Sequence, residues 1–301
     1  MKLIVAQTVP EMRVCADLTA NHYLNNVRVN GIVAAEGVDP LFLMGVLNGA
    51  PADFVFRRIA KPKMGGYYEA NKQFIAPLPI PDVEEDERAE IAAMAGELQR
   101  LWSSRRALLE AASGRLSVLA RARHDERWLW PDIPTFEDFE ARAPSALKTA
   151  GERQEWARSR HDEAIAVKFE ALQARLESAR SIDPVFENGE LALFGDGARV
   201  LDHIYLDEAA GALTEAYWRW LFLSRTWRDA DSLARELRRP PAGAETPAAR
   251  QFIDQVAELA ADTAAIVDAE QAINLRLFEL YQLSDAERVL VENNETARAG
   301  A

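Results

Sequence analysis

From Glu84 onward the apolar residues of this chain fall into helical step. Ile91, Met94, Leu98 and Leu101 recur at spacings of three and four, and Leu108, Leu109, Leu116 and Leu119 carry the pattern on. A stripe with that period is buried by a helix, so the stretch reads as one long amphipathic helix or as a helical pair interrupted near Gly114. Further helices are expected over 152–179, 207–225 and 232–239. After the linker Pro240-Pro241-Ala242-Gly243-Ala244, a long final helix begins at Thr246-Pro247. Ser284-Asp285-Ala286-Glu287 is a capping box that opens a short last helix. Residues 128–144 read as irregular, and Asn188-Gly189 marks a small hairpin.

The first eighty residues follow a different pattern. Leu3-Ile4-Val5-Ala6 and Met12-Arg13-Val14-Cys15-Ala16 look like short strands separated at Val9-Pro10. Residues 23–33 read as another extended pair broken at Asn30-Gly31. Asp39-Pro40 is a helix start, since Asp caps and Pro fits the first turn. Leu41, Leu43, Met44 and Leu47 follow it. Residues 52–59 are helical or extended, and 72–78 read as a last strand stopped by Pro79 and Pro81. The expected fold is therefore α+β: a small mixed sheet in an α/β module over 1–82, then a mainly α-helical region over 83–301. That region holds the hairpin near 185–205 and C-terminal helices over 246–292.

Cys15 is the only cysteine, which rules out a disulfide framework and any Cys-based zinc site. The opening apolar run is too short for a signal peptide, and no run approaches membrane-spanning length. A cytoplasmic location with no membrane partner is expected. The net charge of −13 is unevenly spread. Residues 1–80 hold eight basic and six acidic side chains, a surplus of two positive charges, which leaves −15 for the remainder.

That surplus is concentrated within 41–81. An apolar helix ending Leu47-Asn48-Gly49 leads to Arg57-Arg58-Ile59-Ala60-Lys61-Pro62-Lys63, then Gly65-Gly66-Tyr67-Tyr68, then Lys72 and Leu78-Pro79-Ile80-Pro81. Positive charge, aromatics and flexible glycines together fit a polyanion surface. Arg57, Arg58, Lys61, Lys63 and Lys72 are candidates to clamp phosphates, and arginine also reads guanine edges. Gly65 and Gly66 permit close backbone approach. Tyr67 and Tyr68 are candidates for stacking, with alternation turning only one of them outward. Asn25 and Asn26 are candidates for base contacts.

The order of these pieces resembles the C-terminal target-recognition, or specificity, region of TaqI- and Eco57I-like adenine-N6 DNA methyltransferases, including fused type II restriction-modification enzymes. Lys2-Leu3-Ile4-Val5, Asp17 and Tyr23-Leu24-Asn25-Asn26 carry the first part of it. Leu43-Met44-Gly45-Val46-Leu47-Asn48-Gly49, Gly65-Gly66-Tyr67-Tyr68 and Leu78-Pro79-Ile80-Pro81 carry the second. The third is the ending from Ile273 through Leu280-Tyr281-Gln282-Leu283-Ser284-Asp285, with Gln282 where the family has glycine and Gly49 where it has serine. The resemblance covers about 2–100 and 250–292. It implies a module that grips double-stranded DNA and presents a flipped adenine to a methyltransferase catalytic domain or subunit using S-adenosylmethionine. That catalytic half is expected to precede Met1. The catalytic Asn-Pro-Pro-Tyr is not in this sequence, so no catalytic residue and no cofactor site is assigned within it.

Other chemistries find less support. Phe194-Gly195-Asp196-Gly197 is expected to be a turn between strands rather than a cofactor loop. His22, His124, His161 and His203 do not share a helical ligand spacing, so no metal site is assigned. His203 beside Asp202 reads as a structural pair. After Pro131-Asp132 the nearest acid-x-base triplet is Glu140-Ala141-Arg142, which lacks the lysine of a nuclease motif. Cys15 has no activating base in sequence. Tyr217, Trp218, Trp220 and Trp227 read as an aromatic core helix. The alternatives are a protein-interaction subunit of a defence complex, or a small enzyme with an unrecognised site.

Overall fold

The computed structural model describes residues 1–17, 28–179, 181–225 and 229–299. Strands β1 (Lys2–Ala6), β2 (Thr8–Val9), β3 (Val14–Asp17) and β4 (Val29–Ile32) lead into helices α1 (Pro40–Asn48) and α2 (Ala50–Ile59). Then come β5 (Tyr68–Glu69), α3 (Lys72–Ile75), α4 (Glu85–Val118), α5 (Phe136–Ala141) and α6 (Ala150–Ser178). Strands β6 (Ile182–Glu187), β7 (Glu190–Gly195) and β8 (Ala198–Tyr205) precede α7 (Glu208–Ser224), α8 (Ala230–Leu237), α9 (Pro247–Leu280) and α10 (Asp285–Ala299). This is the expected α+β class, and among the described residues no helix is long and apolar enough to cross a membrane.

The chain divides into two compact units, one of residues 1–105 with 261–301 and the other of 106–260. The division does not fall at the expected boundary after residue 82, because the start of α4 and the end of α9 share the core of the first unit. Ile91, Ala92, Ala95, Ile273 and Leu277 are buried together with Leu3, Val5, Phe42, Val46 and Phe56.

In the first unit the sheet order is β3-β1-β4, with antiparallel pairing throughout rather than mixed. Leu3 and Val5 point inward and alternate with the half-buried Lys2 and Ile4, the period expected of a sheet with one packed face. Asp39 caps α1 by accepting the Leu41 N–H at 2.7 Å, with Pro40 behind it. Helix α1 approaches its neighbours closely because it carries Gly45 and is capped by Gly49. A Cβ at Gly45 would lie 2.8 Å from Ile91 Cγ2, and one at Gly49 would overlap Leu277 Cδ1.

The outer edge of β3 is closed by side chains. Asn48 Oδ1 accepts the Val14 N–H at 2.6 Å while its Nδ2 donates to the Val14 carbonyl at 2.8 Å. Gln99 does the same for Ala16, at 2.7 and 2.9 Å. Two amides thus stand where another strand would hydrogen-bond, which blunts an exposed edge.

Two stretches fold differently from their local pattern. Asn30-Gly31 is not a turn but lies inside β4, opposite Val5 and Ile4; the Asn30 amide donates to the Ala70 carbonyl at 2.8 Å. Residues 72–78 are not a strand. Lys72–Ile75 form the one-turn helix α3, whose Ile75 N–H donates to the Asn71 carbonyl at 3.0 Å.

Helix α9 ends in a Schellman arrangement. The Leu283 N–H donates to the Phe278 carbonyl at 3.0 Å and the Gln282 N–H to the Glu279 carbonyl at 2.8 Å, with Gln282 left-handed at φ 54°. Ser284 then opens α10, its N–H and hydroxyl both donating to Glu287 Oε2 at 2.8 and 2.6 Å. The Tyr281 hydroxyl donates to the Pro79 carbonyl at 2.6 Å, and burial raises its pKa.

In the second unit β6, β7 and β8 make a three-stranded antiparallel sheet, one strand more than the expected hairpin. Asn188-Gly189 (φ 53° and 81°) and Asp196-Gly197 (φ 48° and 77°) make its two tight turns. The second of these is the turn expected within Phe194-Gly195-Asp196-Gly197. The core is aromatic, with Tyr217 and Trp218 fully buried. Trp218 Nε1 donates to the Leu237 carbonyl at 3.1 Å, and the Tyr217 hydroxyl to Glu236 at 2.8 Å beside Arg121. Trp220 packs in the same core, and Trp227 lies outside the described residues. Helix α4 runs unbroken through Gly114.

Candidate nucleic-acid interface

The basic stretch begins at the C-terminal turn of α2, where arginines suit the negative end of the helix dipole. Arg57 is committed to the fold. Its Nε donates to Asp53 Oδ2 at 2.7 Å, and Asp53 is 1 % exposed. Asp53 Oδ1 in turn accepts the Met12 N–H at 2.7 Å. Arg58 is exposed, folded back over Phe54 with its guanidinium 3.3 Å from the ring centre, and donates to the Phe54 carbonyl at 2.7 Å.

Beyond Ala60 the chain forms a narrow two-stranded ribbon over 61–69. The Lys63 N–H donates to the Tyr67 carbonyl at 2.7 Å and the Glu69 N–H to the Lys61 carbonyl at 3.0 Å, with Pro62 paired opposite Tyr68. The base of the ribbon is β5, which pairs with β2 through Thr8 and Val9. Its tip is a single 3₁₀ turn, Met64–Gly66. Gly65 and Gly66 are both left-handed there, at φ 74° and 75°, a backbone that glycine adopts without strain.

The two tyrosines separate as alternation requires. Tyr68 packs edge-on to Phe56 with ring centres 6.1 Å apart, whereas Tyr67 is 44 % exposed. Lys61 is exposed, and Lys63 holds Glu69 in an ion pair that pulls the Glu69 carboxyl below the usual range. Lys72 is exposed on α3. Asn25 and Asn26 lie outside the described residues.

Of the candidate residues, then, Arg57 and Tyr68 serve packing. Arg58, Lys61, Lys63, Gly65, Gly66, Tyr67 and Lys72 present themselves to solvent along one continuous stretch of chain. Sequence reasoning passed over Met64, which stands at the ribbon tip 95 % exposed. The signal was there: a large apolar residue set between Lys63 and two glycines. It also missed that Asp53, one helical turn before Arg57, takes that arginine.

Elsewhere, no three His, Cys, Asp or Glu side chains among the described residues are grouped to hold a metal ion. Cys15 is exposed on β3, and partial burial of its thiol raises its pKa, which opposes nucleophilic use. His203 lies 3.6 Å from both Glu190 and Asp202 at the surface of the second unit. A depression of about 360 Å³ in that unit is lined by Glu126, Asp162, Glu170 and Phe169, and Glu126 already pairs with Arg238.

No family model, curated protein or solved structure matches the chain.

Proposed function

We propose that this chain is a sequence-specific DNA-recognition module of a restriction-modification adenine methyltransferase, acting in the cytoplasm. Catalysis and S-adenosylmethionine would come from a separate methyltransferase domain or subunit. The observation that carries the reading is the meeting of stretches far apart in sequence. The segments with the family resemblance, 2–100 and 250–292, correspond closely to the two pieces that build the first unit. Their motif residues sit at its joints. Tyr281 bonds the carbonyl of Pro79, Asn274 Oδ1 accepts the Ala50 N–H at 2.8 Å, and Asn48 closes β3. Gln282, where the family has glycine, takes a left-handed backbone.

The exposed lysines of 61–72 supply the cationic contact. Duplex binding then falls linearly in log–log form with salt, by about 0.9 for each phosphate met. Fluorescence anisotropy of a labelled duplex pool from 50 to 300 mM salt measures that slope. Replacing Lys61, Lys63 and Lys72 together with alanine lowers both affinity and slope. A folded chain with no salt-dependent duplex binding, or a triple variant that binds like the parent, refutes the reading.

A further inference from the structure

Resting on the DNA-recognition reading, we propose that the ribbon of residues 61–69 enters the major groove and that Met64 at its tip reads thymine through the 5-methyl group. Dimensions choose the groove. Two paired strands lie about 4.8 Å apart before side chains are added. The major groove, about 12 Å wide, admits such a ribbon on an undistorted duplex, whereas the minor groove at about 6 Å takes one only when it is widened and the duplex bent.

Chemistry chooses the base. Met64 is 95 % exposed, more than any other large apolar side chain among the described residues. The apolar feature that base edges offer in the major groove is the thymine methyl. A flexible thioether adapts to a methyl group that the backbone does not position tightly.

The flanks suit a polyanion. Between residues 58 and 72 the sequence has four basic side chains and one acid, Glu69. That acid is held by Lys63, so its charge is matched within the ribbon. Lys61 and Lys63 fall on one face by alternation, with Pro62 on the other. A Cβ at Gly66 would meet nothing within 4 Å, so the bare backbone at the tip can come close to base edges.

The test uses the full chain. A randomised duplex library is bound, the retained sequences are read, and each thymine of the preferred site is replaced in turn by 2′-deoxyuridine, which lacks only the methyl. One replacement is expected to weaken binding about fourfold, the worth of one buried methyl. Met64→Ser should weaken the parent site similarly and no longer sense that replacement, while Met64→Leu keeps the sensitivity. Unchanged thermal melting of both variants shows that folding is intact. Insensitivity of the wild-type chain to every replacement, or a Met64→Ser variant that still senses the methyl, overturns the inference and leaves DNA recognition standing. A chain that retains no duplex at all overturns both.

Discussion

Asn48 pairs its side-chain amide with both backbone groups of Val14, so one residue on α1 does the hydrogen bonding of a missing strand. Val14 is buried, and water cannot readily replace these bonds. Asn48→Ala leaves a donor and an acceptor unmet and should cost about 2 kcal/mol. Asn48→Asp sets a carboxylate against the Val14 carbonyl and should cost at least as much. Urea denaturation of both variants measures this; a loss below about 0.5 kcal/mol in Asn48→Ala would show that the edge tolerates exposure.

Arg57 and Lys61 are four residues apart but should behave oppositely. Arg57→Ala strips the guanidinium from the buried Asp53 carboxylate and is expected to destabilise the protein by about 1–2 kcal/mol, discounted for the partial exposure of the arginine. Lys61→Ala should leave stability within about 0.5 kcal/mol and weaken duplex binding instead. Chemical denaturation and anisotropy run side by side distinguish them. Equal melting of the two variants contradicts the assignment.

Gln282 holds a left-handed backbone at φ 54° in the Schellman turn that ends α9. Relieving that strain outweighs the extra freedom glycine gains in the unfolded chain, so Gln282→Gly should stabilise by about 0.5–1 kcal/mol. Gln282→Val should destabilise. Reversed signs in thermal melting would mean that the Gln282 side chain contributes something the backbone argument omits.

His124 stacks on Trp128 with ring centres 4.4 Å apart, and burial lowers its pKa against the opposing pull of Asp125. A lowered histidine pKa means the folded state prefers the neutral ring. Its contribution is therefore full above the unfolded value of about 6.5 and is lost as pH falls through the folded pKa. His124→Phe keeps the stack and removes the proton, so it should flatten the decline of stability between pH 7 and 5. Denaturation midpoints across that range give the slope, and an identical slope in the variant assigns the decline to other groups.

What was legible in the sequence was local. Asp39-Pro40 and Ser284 announced helix starts because a cap and its hydrogen-bond partner lie within three residues. The tight turns at Asn188-Gly189 and Asp196-Gly197 were legible for the same reason. Asn30-Gly31 misled because its partner, β1, comes some twenty-five residues earlier and overrides the turn preference. Residues 72–78 misled because the alternation is too short to separate a strand from one turn of helix. In the candidate site the exposed lysines were readable, but the withdrawal of Arg57 was not. It depends on Asp53 being buried, which depends on Met12 and β3. Gly49 showed only a departure from a family pattern; the reason, Leu277 pressed against its backbone, lies more than two hundred residues away.

The first unit closes its core with Ile273 and Leu277, so its earliest strands wait for a helix that lies more than two hundred residues further along the sequence. During synthesis the glycine face of α1 emerges long before the helix that covers it, while residues 106–260 already have every partner of their own core. The uninterrupted middle segment can therefore mature first and the split segment last, which makes the final turns of α9 the step that completes the sheet-bearing half.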